Sequence, residues 1–245
     1  MESLRFASPA NPRSSAEAAA LLKRLYETAG SGIITGQHTQ TRKMEEIGCI
    51  RSLTGREPAL RGFELLSYSP NINYEDASEA CLTEIEENRE TMQDALAWAE
   101  GHPERIVTLS FHWFSPIGGR DKSFYAENTD FDASRILIDG SEERAAFYRD
   151  LDVIAELLGE FRDRKIPLLW RPLHESDGTW FWWGAKGPAV ARDLYRLIFD
   201  YYTEEKDLNN LLWVWNCRLA DGYPGDGYVD VISLDEYLTE YEATD

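Results

Sequence analysis

Apolar residues along the chain follow two alternating rhythms: short β-rich runs, and longer stretches with hydrophobics three or four positions apart. Ser14-Ser15-Ala16-Glu17 has the form of a capping box, and Ala18 to Thr28 carries helix formers up to Gly30, which predicts a leading helix. Gly32 to Gly36 reads as a first strand ending in Gln37 and His38, and a helical stretch from about Thr41 to Leu53 follows it. Pro58 to Glu64 is a second strand, interrupted by Arg61 and Gly62. After a loop containing Tyr68 and Tyr74, Thr83 and Glu86 open a helix that runs to Gly101. Ile106 to Phe111 is a third strand and leads straight into His112 and Trp113.

The next connection, from about Phe114 to Gly140, is far longer than the usual few residues and contains Phe114, Phe124, Tyr125 and Phe131, which marks it as functional. From Ser141 to Lys165 the apolar residues Phe147, Leu151, Ile154, Leu158 and Phe161 define one buried helical face. Ile166 to Trp170 is a fourth strand, too short for a free-standing helix. Pro188 starts another helix, with Val190, Leu194, Leu197, Ile198 and Tyr201 on its buried side. Leu211 to Trp215 is a fifth strand. The Gly/Pro-rich stretch Asp221 to Gly227 then leads to a sixth, Tyr228 to Leu234, which ends in Asp235, Glu236 and Tyr237.

Strands and helices in this order imply a parallel sheet. The chain has 245 residues, close to the roughly 250 of one (β/α)8 barrel. The expected fold is therefore α/β: a single-domain (β/α)8 TIM barrel, incomplete, with about six βα units and the last two missing at the C-terminus. A doubly wound nucleotide-binding sheet would need a glycine-rich phosphate turn, and the residues after the first strand, Gly36-Gln37-His38-Thr39-Gln40, do not form one.

Charge narrows the partners. A net charge of −19 repels phosphate backbones and Lys and Arg form no basic stripe, so nucleic acid is not an expected partner. No apolar run approaches the about 20 residues of a membrane span, so no membrane is expected either. Cys49, Cys81 and Cys217 lie far apart without a CxxC pair, which argues against disulfides and a zinc site. The N-terminus lacks the basic start and apolar core of a secretory signal. Nothing in the sequence speaks to oligomeric state.

The chemistry concentrates after the fourth strand, where Arg171, His174 and Glu175 precede the turn-forming Ser176-Asp177-Gly178 and then Trp180, Phe181, Trp182 and Trp183. A carboxyl group beside indole rings is poorly solvated when charged and suits proton donation near neutral pH. Flat indole faces suit sugar rings, and the carboxyl ends of barrel strands are where such folds put their active sites. Trp180, and with less weight Trp113, are the candidates for sugar contact; Trp182, Trp183, Trp213 and Trp215 read as barrel packing.

Taken in order, Gly36-Gln37-His38, Ser110-Phe111-His112-Trp113, Trp170-Arg171-Pro172-Leu173-His174-Glu175, Trp180-Phe181-Trp182-Trp183-Gly184, Trp213-Val214-Trp215 and Tyr223-Pro224-Gly225-Asp226 through Tyr237 resemble family 26 of the glycoside hydrolases, most of whose members are endo-β-mannanases. The resemblance covers roughly residues 30 to 240 and implies a barrel that cleaves β-1,4-mannosidic bonds of mannan-type polysaccharides with retention, with no cofactor. It makes Glu175 the general acid/base and places His112, His174 and Trp180 around the sugar. Tyr237 matches a tyrosine that serves the nucleophile. The nucleophile itself belongs at the end of a seventh strand, so the match gives that role to no residue here. Secretion is expected from the resemblance alone. The chain departs from the family at Glu64, more usually an aspartate, and at Ser176-Asp177, more usually an asparagine.

Arg171 reads as a core ion-pair residue or as a partner that holds a neighbouring carboxylate charged, and period-two alternation turns Asp235 toward the barrel mouth as a hydrogen-bonding support. Two other readings stay open: a non-catalytic carbohydrate-binding barrel, and a metal-dependent hydrolase built on His38, His112 and His174.

Overall fold

Six strands lie side by side in chain order, every neighbouring pair parallel: β1 (Gly36–His38), β2 (Leu60–Glu64), β3 (Ile106–Ser110), β4 (Leu168–Arg171), β5 (Leu211–Asn216) and β6 (Val231–Ser233). This is a computed structural model, which describes residues 8–39 and 44–237. Gln40 and the expected helix start at Thr41 lie outside the described residues, and the helix there is α2 (Glu45–Thr54).

Alternate residues of a strand face opposite sides. One side of the sheet carries Phe63, Val107, Leu109, Leu168, Trp170, Leu211, Trp213 and Trp215 into the main core. There they meet α3 (Glu79–Glu87), α4 (Thr91–Ala99), α5 (Glu142–Asp163) and α6 (Pro188–Asp200). The opposite side is apolar only near the strand starts, where Leu60, Ile106, Leu169, Leu212 and Val214 pack under α1 (Ala16–Thr28) through Ala18, Leu21 and Leu22. Toward the strand ends the same side turns polar, with Glu64, Ser110, Arg171, Asn216 and Ser233. Strands in sequence order with one face set aside for polar side chains make an incomplete (β/α)8 barrel and exclude the doubly wound arrangement.

The helix starts follow from serine caps. Ser15 Oγ accepts from the Ala18 N–H, Ser78 Oγ from Cys81 and Ser141 Oγ from Arg144, each offsetting one orphan donor of a first turn. The predicted face of α5 is buried as expected. The single helix expected up to Gly101 is two, α3 and α4, separated by Glu90 at φ +66°. The first strand is shifted from Gly32–Gly36 to Gly36–His38. Ile33 stands 90% exposed, and Gly36 pairs with Leu60 so closely that a Cβ there would lie 2.7 Å from a Leu60 methyl. The sixth strand is shorter than expected because the carboxylate of Asp230 takes over, accepting from the N–H groups of Ala10 and Trp213 at 2.7 Å each.

The long segment after β3 is held by its aromatics. Phe114, Phe124 and Phe131 are buried, and Tyr125 forms an antiparallel bridge with Phe181. Beneath it, Asp150 of α5 accepts from Trp113 Nε1–H at 2.7 Å and from Asn71 Nδ2–H at 3.0 Å. Burial pushes the Asp150 carboxyl up to about 6 from an ordinary 3.8, against the pull of these two donors. Between those values the folded chain holds a proton that the unfolded chain has lost, so stability falls as pH rises through that window, by roughly 3 kcal/mol at about 1.36 per unit. Denaturant midpoints of the protein and of Asp150→Asn, compared from about one pH unit below to one above that window, should show this decline only when Asp150 is present. Parallel pH dependences in the two would assign the decline elsewhere.

Candidate active site

A cleft of about 270 Å³ opens at the carboxyl ends of β4, β5 and β6, lined by Glu175, Asp177, Trp180, Asn216, Cys217, Arg218, Leu234, Asp235 and Tyr237. A second hollow, about 520 Å³, lies at the opposite end of the strands between α1 and the turns before β3 and β4. Strand polarity decides between them, since the polar ends of β2 to β6 all point to the first.

Glu175 enters the cleft from an unusual backbone. Its φ is +53°, a left-handed conformation that costs a non-glycine residue about 1–3 kcal/mol and persists only where the surroundings over-determine it. The carboxylate accepts from Trp180 Nε1–H at 2.9 Å on Oε2 and from Tyr237 Oη–H at 2.8 Å on Oε1. The turn after it is built for Trp180. A Cβ at Gly178 would fall 2.2 Å from the indole ring, so only glycine lets the ring lie across the turn. Trp180 keeps 49% of its surface exposed beside the acid. Tyr237 was expected to serve a nucleophile; in the structure its hydroxyl donates to Glu175, and that bond and the facing charge hold the phenol above its usual value, so it remains a donor.

A second polar group stands at the ends of β2 and β3. Glu64 Oε2 accepts from Ser110 Oγ–H at 2.7 Å and lies 3.0 Å from His112 Nδ1, while Oε1 accepts from the His112 backbone N–H at 2.6 Å. Burial opposes charge on His112, but the charge and hydrogen bond of Glu64 outweigh it and raise the imidazole above its ordinary value. Burial likewise opposes charge on Glu64, and the facing His112 wins, holding that carboxyl well below the usual range. His112 Nε2 sits 3.2 Å from Nε2 of His174, whose own affinity for a proton is lowered well below normal by burial and by His112. At that separation one proton is shared between the two Nε2 atoms.

Not every expected site residue reaches the cleft. Trp113, a candidate sugar contact, is 1% exposed, stacked between Phe111 and Phe147 with its N–H on Asp150, and no ring can reach it. His174 is 4% exposed and stands behind His112, with Trp183 Nε1–H donating to its carbonyl, so it supports its neighbour and has little surface to offer a sugar. Arg171 and Asp235 form an ion pair with each other across the cleft floor. Trp182, Trp183, Trp213 and Trp215 are buried as packing. His38 stands exposed at the end of β1. Among the described residues no group of three or more His, Cys, Asp or Glu side chains is arranged to hold a metal ion.

Sequence reasoning missed Asn216, Asp177, Cys217 and Arg218. The first was within reach: alternation along β5 from Leu212 and Val214 turns Asn216 to the mouth. The other three lie on connections whose direction no periodicity sets.

Comparison with known proteins places the fold in a family. The Glycosyl hydrolase family 26 model matches residues 10–245. A mannan endo-1,4-beta-mannosidase of Thermothelomyces thermophilus is 39% identical over 239 residues, covering 93% of this chain and 45% of that protein. A Podospora anserina β-(1,4)-mannanase superposes with a TM-score of 0.82 at 35% identity, covering 96% of this chain and 51% of its own. A β-mannanase from a symbiotic protist of the termite Reticulitermes speratus, solved with a gluco-manno-oligosaccharide, gives 0.83 at 32%, covering 95% and 73%. The chain spans about half the length of the first two. Six parallel strands in barrel order, an acid at the exit of the fourth and a family match over nearly every residue lead to one conclusion: the chain belongs to glycosyl hydrolase family 26.

Proposed function

We propose that the protein is a retaining endo-β-1,4-mannanase in which Glu175 is the general acid/base. The observation that carries this reading is the Glu175 carboxylate, set in an open cleft at a strand end and held by Trp180 and Tyr237. In the first step Glu175 gives its proton to the departing glycosidic oxygen. In the second it takes a proton from the water that releases the sugar from the enzyme. Retention needs a second carboxylate about 5–5.5 Å away as nucleophile. Asp235 is committed to Arg171 and is in this reading a support of the cleft floor.

Trp180 offers the exposed ring face on which a pyranose stacks, and His112, partly open with both ring nitrogens held by Glu64 and His174, offers a sugar the edge of its ring. The names of the relatives favour mannan over other β-glycans, and the ligand of the termite-protist enzyme extends this to gluco-mannan. Incubating the full-length protein with mannan, xylan and cellulose, and following the first reducing ends by proton NMR, tests the whole proposal. Release of the β-anomer from mannan is the expected result. Oligosaccharide binding by calorimetry without release of reducing sugar would replace it with a non-catalytic barrel.

A further inference from the structure

Glu175 keeps a backbone conformation that non-glycine residues avoid, so some neighbour must hold it there. The neighbour is Asn216 at the end of β5, 3% exposed. Its Oδ1 accepts from the Glu175 N–H, its main-chain carbonyl accepts from the Ser176 N–H at 3.2 Å, and its Nδ2 donates to the Ser233 carbonyl at 3.1 Å and to Ser233 Oγ at 3.0 Å. The carbonyl of Ser233 can only accept, which fixes the amide with its nitrogen toward β6 and its oxygen toward Glu175. We propose that Asn216 is the positioning residue of the acid: its side-chain oxygen pins the left-handed turn at Glu175 and thereby aims the carboxyl into the cleft.

The remaining contacts of the turn do not do this. Gly178 N–H bonds the Glu175 carbonyl at 3.0 Å and Trp183 bonds the carbonyl of His174, which leaves the Glu175 N–H to Asn216. Without that acceptor the peptide is free to turn toward the common right-handed or extended regions, and the Cα–Cβ direction turns with it. A displacement of about 1 Å at a reacting group can cost about 10²-fold in rate.

This inference rests on Glu175 being the acid, and the test separates the two. In the full-length protein, kcat and KM are measured for Asn216→Ala and Asn216→Asp on mannan, whose leaving group needs a proton, and on a dinitrophenyl β-mannobioside, whose leaving group does not. For Asn216→Ala, mannan kcat should fall about 10²-fold with KM little changed, while the initial dinitrophenolate release stays within a few-fold. Asn216→Asp keeps an acceptor toward Glu175 and loses the bonds its amide donates to Ser233, of which the hydroxyl can turn and donate back, so it should recover most of the mannan rate. Equal losses on both substrates, or equal losses in both variants, would make Asn216 a structural tie and overturn the proposal. Should Asn216→Ala not fold, Asn216→Asp decides alone: it must keep the ratio of mannan to aryl-glycoside rates within a few-fold, and a selective loss on mannan overturns the proposal. Full mannan activity in Glu175→Gln would instead remove the reading of the acid, whatever Asn216 does.

Discussion

Glu175→Gln should lower mannan hydrolysis by about 10²–10⁴-fold, the usual weight of a positioned general acid. Glutamine keeps the shape of the side chain, with its oxygen toward the Trp180 N–H and its amide toward the Tyr237 hydroxyl, which can turn to accept, but carries no acidic proton to transfer. A sugar hydroxylate is a poor leaving group and stalls without that proton. A dinitrophenolate leaves unaided, so the first step on an activated aryl mannoside should survive. The second step still needs Glu175 as base, so the survivor should appear as a burst of phenolate followed by slow turnover. Stopped-flow absorbance on the aryl glycoside, beside a reducing-sugar assay on mannan, reads both halves. Mannan turnover within tenfold of the parent would show that another group delivers the proton.

Trp113→Ala should unfold the protein more readily while leaving the cleft chemistry intact. The indole is stacked on Phe111 at 5.3 Å and Phe147 at 5.0 Å, and its N–H serves the buried Asp150. Truncating a buried tryptophan to alanine costs about 3–5 kcal/mol, which for a chain of this size lowers Tm by roughly 6–20 °C. A sugar-contacting tryptophan would give the opposite pattern, an unchanged Tm and a raised KM. Trp113→Phe separates the components, because it keeps most of the stack and removes only the donor to Asp150, a loss of about 1–3 kcal/mol. A melting curve for Trp113→Ala that overlays the parent would mean that the ring is not packed as described.

Much of the frame was legible because burial writes itself into periodicity. β3, β4 and β5 are apolar runs closed by polar residues, and α5 shows its buried face every three or four positions. β1 was misplaced because Ile33 and Ile34 look like strand core. Ile33 faces solvent, and the true pairing begins at Gly36, where a side chain does not fit. Trp113 was misjudged although the rule that places it was at hand. Ser110 and His112 turn to the mouth, so alternation carried two residues past the strand sends Phe111 and Trp113 to the outer core together. The same rule turns Asp235 to the mouth, where it meets Arg171. The hydrogen bonds of Asn216 and the left-handed turn at Glu175 had no such signal. They depend on where three strand ends stop relative to one another, which is a property of the folded sheet.

α1 has a consequence for the order in which this chain can assemble. Its apolar face rests on β3, β4 and β5, so this helix, which precedes all six strands, lacks the full surface it lies on until β5 has left the ribosome. Its docking closes the long loop from α1 to β5 and gains its contacts only after that entropy is spent, so this helix is a late arrival in folding and waits without its full partner surface while the strands beneath it are made.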